Sequence, residues 1–313
     1  MERVRITDVS PRDGLQNEPG IIPTTDKVEL IRRLCLTGVD EVEVTSFVSP
    51  KWVPQLADAQ EVCASLSPLP PGGRIGGHPV FSVLVPNEKG MASALDVNAR
   101  RHVLSKVSVF TAASETFSKK NTNATIAETL ERFVPVMEVA HDESLPVRAY
   151  ISCVIACPFE GPISPAAVAH VARQLVDLGA DEIDLGDTIG AGTPDTIRAM
   201  LAAVRAELGD SWLPAHRLTL HLHDTFGRAA DCVNAALDFG VRSFDGSVAG
   251  LGGCPYASTP GKRAPGNIST ELLVQTIHNA GYTTGVDTAR LAEAADFARS
   301  IVAASRSTRA EEA

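Results

Sequence analysis

The chain has 313 residues, a hydrophobic content of 44% and a formal net charge of -10. This length and apolar content suffice for a large core in one domain, and the acidic balance argues against nucleic acid as a partner. No run of eighteen uncharged apolar residues appears, and residues 3–7 begin without an apolar signal region. We therefore expect a soluble, cytoplasmic protein with no membrane partner.

Six cysteines are spread along the chain. Without a secretory signal they are expected to be reduced, and most of them fit buried positions in the core. Cys153 and Cys157 lie four residues apart with no matching second pair, which argues against a zinc site built from thiolates.

The apolar pattern predicts eight short strands separated by helices. The strands are residues 4–9, 41–45, 80–85, 103–110, 147–154, 182–185, 218–223 and 243–248. The clearest helices are residues 27–36, 125–140, 165–178, 194–208 and 229–239. Gly38, Gly179 and Gly240 each follow a helix where a left-handed C-cap is expected.

This alternation of strand and helix predicts the α/β class and a (β/α)8 TIM barrel with extra C-terminal helices at 272–280 and 289–303. A doubly wound open sheet is the alternative, but it needs no eighth strand and usually has a glycine-rich turn after its first. Here the first strand leads to residues 11–14, Pro-Arg-Asp-Gly. We expect one catalytic domain over 1–304 and a polar, flexible tail over 305–313.

Polar residues at the carboxyl ends of barrel strands usually form the active site. His221 and His223 end the seventh strand, and side chains two apart on a strand point the same way. An isolated pair of this kind has roughly even odds of being satisfied by backbone carbonyls, but Asp13 after the first strand favours a metal. With the amide of Asn267, these groups suit Mg2+, Mn2+ or Co2+, although zinc and the iron of oxygenases stay open.

Arg12 precedes Asp13 directly. As an exposed ion pair the two would contribute little, whereas an arginine beside a metal could stabilise an enolate oxygen. Glu41 and Glu43 share one face of the second strand, and two like charges on one face require partners or water. We expect Glu43 to contact Arg12 and Glu41 to lie near a solvated end.

Three glycines within residues 250–253 precede Cys254 and predict a mobile loop over the strand ends. A thiol on this loop could transfer a proton to a substrate, although a small apolar residue in a turn is at least as common. Lys106 in the fourth strand could form a Schiff base, as in metal-free aldolases, but nothing else in the sequence requires one.

Four segments carry a family resemblance: residues 11–18, 45–55, 185–190 and 250–256. In these the chain resembles hydroxymethylglutaryl-CoA lyases, from about Val4 to Tyr282. The resemblance implies four metal ligands, Asp13, His221, His223 and Asn267, with Mg2+ or Mn2+ as the cofactor. It implies these further roles: Arg12 as the enolate stabiliser, Cys254 as the loop acid, Glu43 as support for Arg12 or the metal, and Asp187 as an orienting group for the substrate or a ligand histidine.

The implied reaction is the metal-assisted retro-Claisen cleavage of 3-hydroxy-3-methylglutaryl-CoA to acetyl-CoA and acetoacetate. Asp13 or His221, directly or through water, would remove the hydroxyl proton, Arg12 would stabilise the enolate, and Cys254 or a water would return a proton to carbon. The resemblance also implies an acyl-CoA substrate, a homodimer and a role in leucine degradation. The lysines at 119–120 could attract a CoA phosphate.

The chain departs from the family at residues 258–265, where the link to Asn267 is several residues longer than usual, and at Ser10 and Pro19. The longer link leaves open a lyase for a longer 3-hydroxy-3-alkylglutaryl-CoA. Claisen-type synthases share the barrel and the metal but usually carry a C-terminal regulatory region, so we favour a lyase. A non-catalytic barrel that binds CoA esters is a further alternative, weakened by the complete set of site residues.

Overall fold

The computed structural model describes residues 1–66, 79–213, 216–253 and 266–312. Eight parallel strands in these ranges form the barrel: β1 (Arg5–Asp8), β2 (Glu41–Ser46), β3 (Val80–Leu84), β4 (Lys106–Ala112), β5 (Val147–Ser152), β6 (Glu182–Asp187), β7 (Leu218–Leu222) and β8 (Ser243–Gly246). The strand order is β1-β8-β7-β6-β5-β4-β3-β2, and pairing of β1 with β8 closes the ring. The predicted (β/α)8 TIM barrel is confirmed, and the open sheet is excluded.

Helices cover the outside of the barrel: α1 (Thr24–Thr37), α2 (Ala59–Ser65), α3 (Glu88–Arg101), α4 (Glu115–Thr122), α5 (Ile126–Asp142), α6 (Pro165–Asp177), α7 (Pro194–Leu208), α8 (Ala229–Phe239), α9 (Thr270–Asn279) and α10 (Thr288–Glu312). All predicted helices are present. The apolar pattern of the sequence does not clearly mark α2, α3 or α4. Helices α2 and α4 have only 7 and 8 residues, so their apolar repeat is short. A short hairpin, Ala156–Cys157 with Gly161–Pro162, also lies outside the predicted strands.

Local sequence signals fix the ends of several helices. Thr125 and Glu128 form a reciprocal capping box at the start of α5, and Ser164 accepts the Ala167 N–H at the start of α6. The three predicted C-terminal glycines have positive φ angles: Gly38 83°, Gly179 108° and Gly240 112°. The N-terminal caps determine where these helices begin, and the glycines determine where they end and the chain turns back to the next strand.

The last helix continues further than the sequence pattern indicates. Helix α10 runs to Glu312 and so includes most of the segment for which a flexible tail is predicted. Ser305 is buried, and the Arg306 guanidinium pairs with the Glu18 carboxylate at 2.9 Å. These contacts favour continued helix beyond residue 304. None of the described helices is both long enough and apolar enough to cross a membrane.

The interior of the barrel contains a buried cluster of charges. Glu41 is fully buried and accepts hydrogen bonds from Arg5, from Lys106 at 2.8 Å and from Arg148 at 3.1 Å. The expectation that Glu41 lies near a solvated end is therefore wrong: three cations, rather than water, compensate its charge. Lys106 also donates to both oxygens of Glu182 at 2.7 Å, so the lysine considered for a Schiff base is engaged in ion pairs.

Candidate metal and active site

A five-residue π-helical turn, Ser10–Gly14, follows β1 and carries two of the predicted site residues. Asp8 at the end of β1 holds this turn, because its Oδ1 accepts hydrogen bonds from the backbone N–H and the hydroxyl of Ser10. Its Oδ2 accepts from the Thr270 hydroxyl at 2.6 Å and from the Val248 N–H at 3.2 Å. Asp8 thereby connects the π-helical turn to the segment that follows β8. Turns of this type are frequent at functional sites.

Arg12 lies in this turn and contacts two carboxylates. Its Nε donates to Glu43 Oε2, and its Nη1 donates to Asp13 Oδ1 at 2.7 Å. The second oxygen of Glu43 accepts from the Ser108 hydroxyl. The expected contact between Arg12 and Glu43 is thus present. Nη2 of Arg12 donates no hydrogen bond to any of the described residues. Because Arg12 lines the cleft, Nη2 can donate to a ligand there.

Asp13, His221 and His223 converge at the mouth. One ligand atom from each residue lies within 4.8 Å of the others, as a shared metal ion requires. The two imidazole centroids are 5.3 Å apart, and both histidines are buried. The same-side geometry predicted from the His-x-His spacing is therefore observed. These three residues form a cluster that could hold a metal ion.

Two buried polar atoms in this cluster have no hydrogen-bond partner in the described part of the chain: His223 Nδ1 and Asn267 Oδ1. The Asn267 amide donates to Asp13 Oδ2 at 2.8 Å and to the Leu251 carbonyl at 2.9 Å. Buried polar atoms without partners are costly, so both indicate a missing electrophile. The donor set of imidazole nitrogen, carboxylate and amide oxygen fits a divalent cation.

The charges around the cluster prepare it for a cation. Burial raises the pKa of Asp13, but the charges of Arg12, His221 and His223 outweigh burial and lower the pKa to about 2. Burial and the charge of His221 lower the pKa of His223 to about 4. An ionised carboxylate and a neutral imidazole are the forms that bind metals.

Asp245 is a residue that the sequence argument missed. It lies in β8, and its Oδ2 is 3.3 Å from Nδ1 of His221. Burial alone would lower the pKa of His221, but the hydrogen bond to Asp245 and the charge of Asp13 outweigh burial, and the net pKa is raised. The alternation of Ser243, Phe244 and Asp245 in β8 could have indicated an inward-facing carboxylate, but serine and aspartate two residues apart are a less specific signal than His-x-His.

Asp187 makes contacts other than those the resemblance suggests. Its Oδ1 accepts from the Ala191 N–H at 3.0 Å, and its Oδ2 accepts from the Gly192 N–H at 2.7 Å. Burial raises the pKa of Asp187 to about 6, although these two hydrogen bonds oppose it. The carboxylate therefore shapes the turn after β6. Within the described residues it forms no hydrogen bond with either histidine, so its effect on the substrate stays a prediction.

A cleft of about 620 Å³ opens above the cluster. Its lining includes Trp52, Phe110, Lys120, Arg132, Tyr150 and Gly253. Asn17 Nδ2 donates to the Gly253 carbonyl at 3.2 Å, which connects the first turn of the mouth to the glycine segment. Cys254 follows Gly253 directly in sequence. Cys254 and the long link at 258–265 lie outside the described residues.

A family model described as HMGL-like matches residues 3–298. The chain is 48% identical over 294 residues to a protein of Arabidopsis thaliana named hydroxymethylglutaryl-CoA lyase, mitochondrial. The match covers 94% of this chain but only 58% of that relative, so the chain spans less than two thirds of its length. A protein of the same name from Gallus gallus is 47% identical over 296 residues, covering 95% of this chain and 92% of that relative.

Solved structures are similar over the whole barrel. An HMG-CoA lyase from Brucella melitensis superposes with a TM-score of 0.85 at 48% identity, covering 96% of this chain and 99% of that one. An HMG-CoA lyase from Acinetobacter baumannii, in complex with coenzyme A and 3-methylmalate, has a TM-score of 0.84 at 33% identity, covering 96% and 92%. The resemblance found in the motifs is confirmed over the full fold, and the chain belongs to the HMGL-like family.

Proposed function

We propose that this enzyme cleaves 3-hydroxy-3-methylglutaryl-CoA to acetyl-CoA and acetoacetate. The observation that supports this best is the hydrogen bond from Arg12 to Asp13, since it places a cationic donor beside a candidate metal site at the barrel mouth. Relatives that share 47–48% of its residues are named hydroxymethylglutaryl-CoA lyases, and a structural relative binds coenzyme A. A metal-assisted retro-Claisen cleavage uses such a pair, one group for the hydroxyl and one for the enolate.

The cation in this proposal is Mg2+ or Mn2+. Its ligands would be the Asp13 carboxylate, the imidazoles of His221 and His223 and the amide oxygen of Asn267. Such a cation, when bound, supplies Lewis-acid chemistry that polarises the substrate hydroxyl and lowers its pKa. Nitrogen and oxygen ligands without a thiolate suit these two ions.

The residues around this site then divide the reaction between them. Asp13 takes the hydroxyl proton, directly or through water, and the bond between the thioester α-carbon and the carbinol carbon breaks. The carbinol carbon becomes the ketone of acetoacetate, and the electron pair of the broken bond moves onto the thioester as an enolate. Arg12 donates to the enolate oxygen and stabilises its charge. Cys254, or a water that it positions, returns a proton to the α-carbon.

Glu43 supports this role of Arg12. Because Glu43 and Asp13 engage Nε and Nη1, the guanidinium is held with its remaining edge toward the cleft. Tyr150 packs beneath it, with the Arg12 guanidinium carbon 5.3 Å from the ring centroid. A donor held in place before the reaction needs no reorganisation when charge develops on the substrate.

The outer cleft suits an acyl-CoA. Lys120 and Arg132 line it and provide positive charge for the CoA phosphates, in a chain whose net charge is -10. The acyl group stays open to a longer 3-hydroxy-3-alkylglutaryl-CoA, since the long link at 258–265 lies beside the site in sequence. The homodimer and the role in leucine degradation stay predictions from the family resemblance.

One experiment tests this function. The purified protein is incubated with Mg2+ or Mn2+ and 3-hydroxy-3-methylglutaryl-CoA, beside longer 3-alkyl analogues, and the products are identified by mass spectrometry. We expect acetyl-CoA and acetoacetate. Equal or faster cleavage of the analogues would contradict the proposed substrate. Release of free CoA from acetyl-CoA and an oxo acid would favour a synthase, and binding of the CoA ester without turnover would favour a non-catalytic barrel.

A further inference from the structure

The Asp245 carboxylate lies beside His221 and belongs to a chain of contacts that begins in the charged interior of the barrel. Arg148 is fully buried and donates to Glu41 and to the Thr7 hydroxyl, each at 3.1 Å. Its Nη1 donates to Asp245 Oδ1, also at 3.1 Å. The guanidinium thus has several fixed partners, and one oxygen of Asp245 is held by it.

The other oxygen of Asp245 faces the metal site. Oδ2 lies 3.3 Å from His221 Nδ1, and the Tyr150 hydroxyl lies 3.5 Å from the same oxygen. A carboxylate at this position accepts the Nδ1–H of the imidazole. The ring is then fixed in the tautomer whose Nε2 carries the lone pair.

We propose that Asp245 is a positioning residue for the metal site, which holds His221 by its Nδ1 so that Nε2 faces Asp13 and His223, and that Arg148 fixes Asp245 in this orientation. Carboxylates that orient a ligand histidine are a general device of metal sites, because they set both the tautomer and the ring angle. The inference rests on the proposed function for the location of the metal.

A different interpretation of these groups is a second cation site, since Asp184, His221 and Asp245 also lie within 4.8 Å of one another. The Arg148 guanidinium argues against it. Arg148 Nη1 lies 3.1 Å from Asp245 and 3.6 Å from Asp184, so a fixed positive charge already lies next to the position that a second cation would take. A further cation there would be repelled.

The contact with Arg148 leads to a specific expectation for Asp245→Asn. Arginine has only donors, so the carbonyl oxygen of the new amide must face Arg148. The NH2 group of the amide then faces His221 Nδ1 and requires Nδ1 as an acceptor. The proton moves to Nε2, the nitrogen that should bind the metal, and a substitution that hardly changes the shape of the side chain reverses the tautomer.

The test uses the metal-free protein and Mn2+ alone. We expect nitrogen-15 NMR of the parent, at alkaline pH where the ring is neutral, to show His221 with its proton on Nδ1, and Asp245→Asn to show it on Nε2. Mn2+ affinity, measured by titration, should fall by about 10–100-fold in Asp245→Asn, the range for partners of ligand histidines. Glu182→Gln is the matched control: its carboxylate accepts from the same guanidinium at 3.1 Å but does not belong to the cluster around His221, so this variant should leave Mn2+ affinity and the tautomer unchanged.

A parent protein with the proton of His221 on Nε2 would overturn the proposal, and this measurement needs no variant. Equal Mn2+ affinity in the parent and a folded Asp245→Asn variant, checked by circular dichroism, would also overturn it. The proposed function is tested separately by product analysis. A parent that binds Mn2+ but does not cleave the thioester would contradict the function and leave the role of Asp245 intact.

Discussion

Nη1 of Arg12 donates to Oδ1 of Asp13 at 2.7 Å, so the candidate stabiliser of the enolate is hydrogen-bonded to a candidate metal ligand. Both residues lie in the π-helical turn at Ser10–Gly14. Asp13 continues the connection, because its Oδ2 accepts the Asn267 amide at 2.8 Å. This turn therefore places Arg12, which would stabilise the negative charge of the enolate, next to the ligands of the cation.

Arg12→Gln should lower kcat strongly without a comparable loss of substrate binding. An amide cannot supply the charge that stabilises the enolate, and loss of one such donor typically lowers kcat by about 10²–10³-fold. Steady-state kinetics with 3-hydroxy-3-methylglutaryl-CoA measures both constants. Arg100→Gln is the control, since within the described residues Arg100 forms only an exposed ion pair with Asp96 on α3 and should leave kcat unchanged. A rise in KM with kcat preserved would mean that Arg12 only binds substrate.

The two glutamates of β2 should differ in what their loss affects. Glu43→Gln removes the carboxylate that holds Arg12, so we expect a lower kcat. Glu41→Gln removes the anion that half-buried Arg5 and buried Lys106 and Arg148 share, and removing one partner of a buried pair costs about 3–5 kcal/mol of the free energy of unfolding. Urea titration and turnover of both variants separate these effects. Full activity of Glu43→Gln would contradict the supporting role of Glu43.

Gly252 should be essential for the geometry of the metal site. Its φ is 105°, and a Cβ added there would lie 2.6 Å from Asn267 Nδ2 and 3.3 Å from the Asp13 carbonyl oxygen. We expect Gly252→Ala to displace Asn267 and weaken Mn2+ binding. Gly281→Ala is matched in backbone conformation, with a φ of 86° and open space around its Cβ, so it carries the backbone strain alone. Equal Mn2+ affinity in the two variants would show that Gly252 does not constrain the site.

Removal of the cation should abolish turnover and also lower the thermal stability. Without a cation, His223 Nδ1 and Asn267 Oδ1 are buried and have no partner in the part of the chain that the structure describes, so a ligand that binds only the folded state should raise the midpoint of thermal unfolding. Treatment with a chelator followed by dialysis, then Mn2+ titration, tests this by calorimetry and assay together. The same midpoint with and without Mn2+, at a concentration that saturates activity, would contradict a metal in this cluster.

Periodicity was sufficient to predict the barrel, because each strand and most helices carry their own pattern. The site was partly predictable for the same reason: His221 and His223 share a strand face, and Arg12 and Asp13 follow β1 directly. The motif resemblance was needed to connect Asn267 with them, since no local pattern marks an amide more than forty residues beyond the histidines.

What the sequence could not indicate depends on contacts across the barrel. The prediction that Glu41 lies near a solvated end is wrong because Arg5, Lys106 and Arg148 come from three other strands. No spacing along the chain indicates that these residues meet. Asp245 was missed for the same reason: its significance comes from His221 on the neighbouring strand. Contacts between residues that are far apart in sequence, rather than the pattern within one strand, decide which buried charges are compensated.

Pulsed electron paramagnetic resonance of the Mn2+-loaded protein tests directly whether Asp13, His221 and His223 hold the cation. We expect couplings from two imidazole nitrogens in the parent and from one in His223→Gln, with weaker Mn2+ binding in the variant. Mn2+ without nitrogen couplings in the parent, or with the same couplings in the variant, would contradict a cation held by Asp13, His221 and His223.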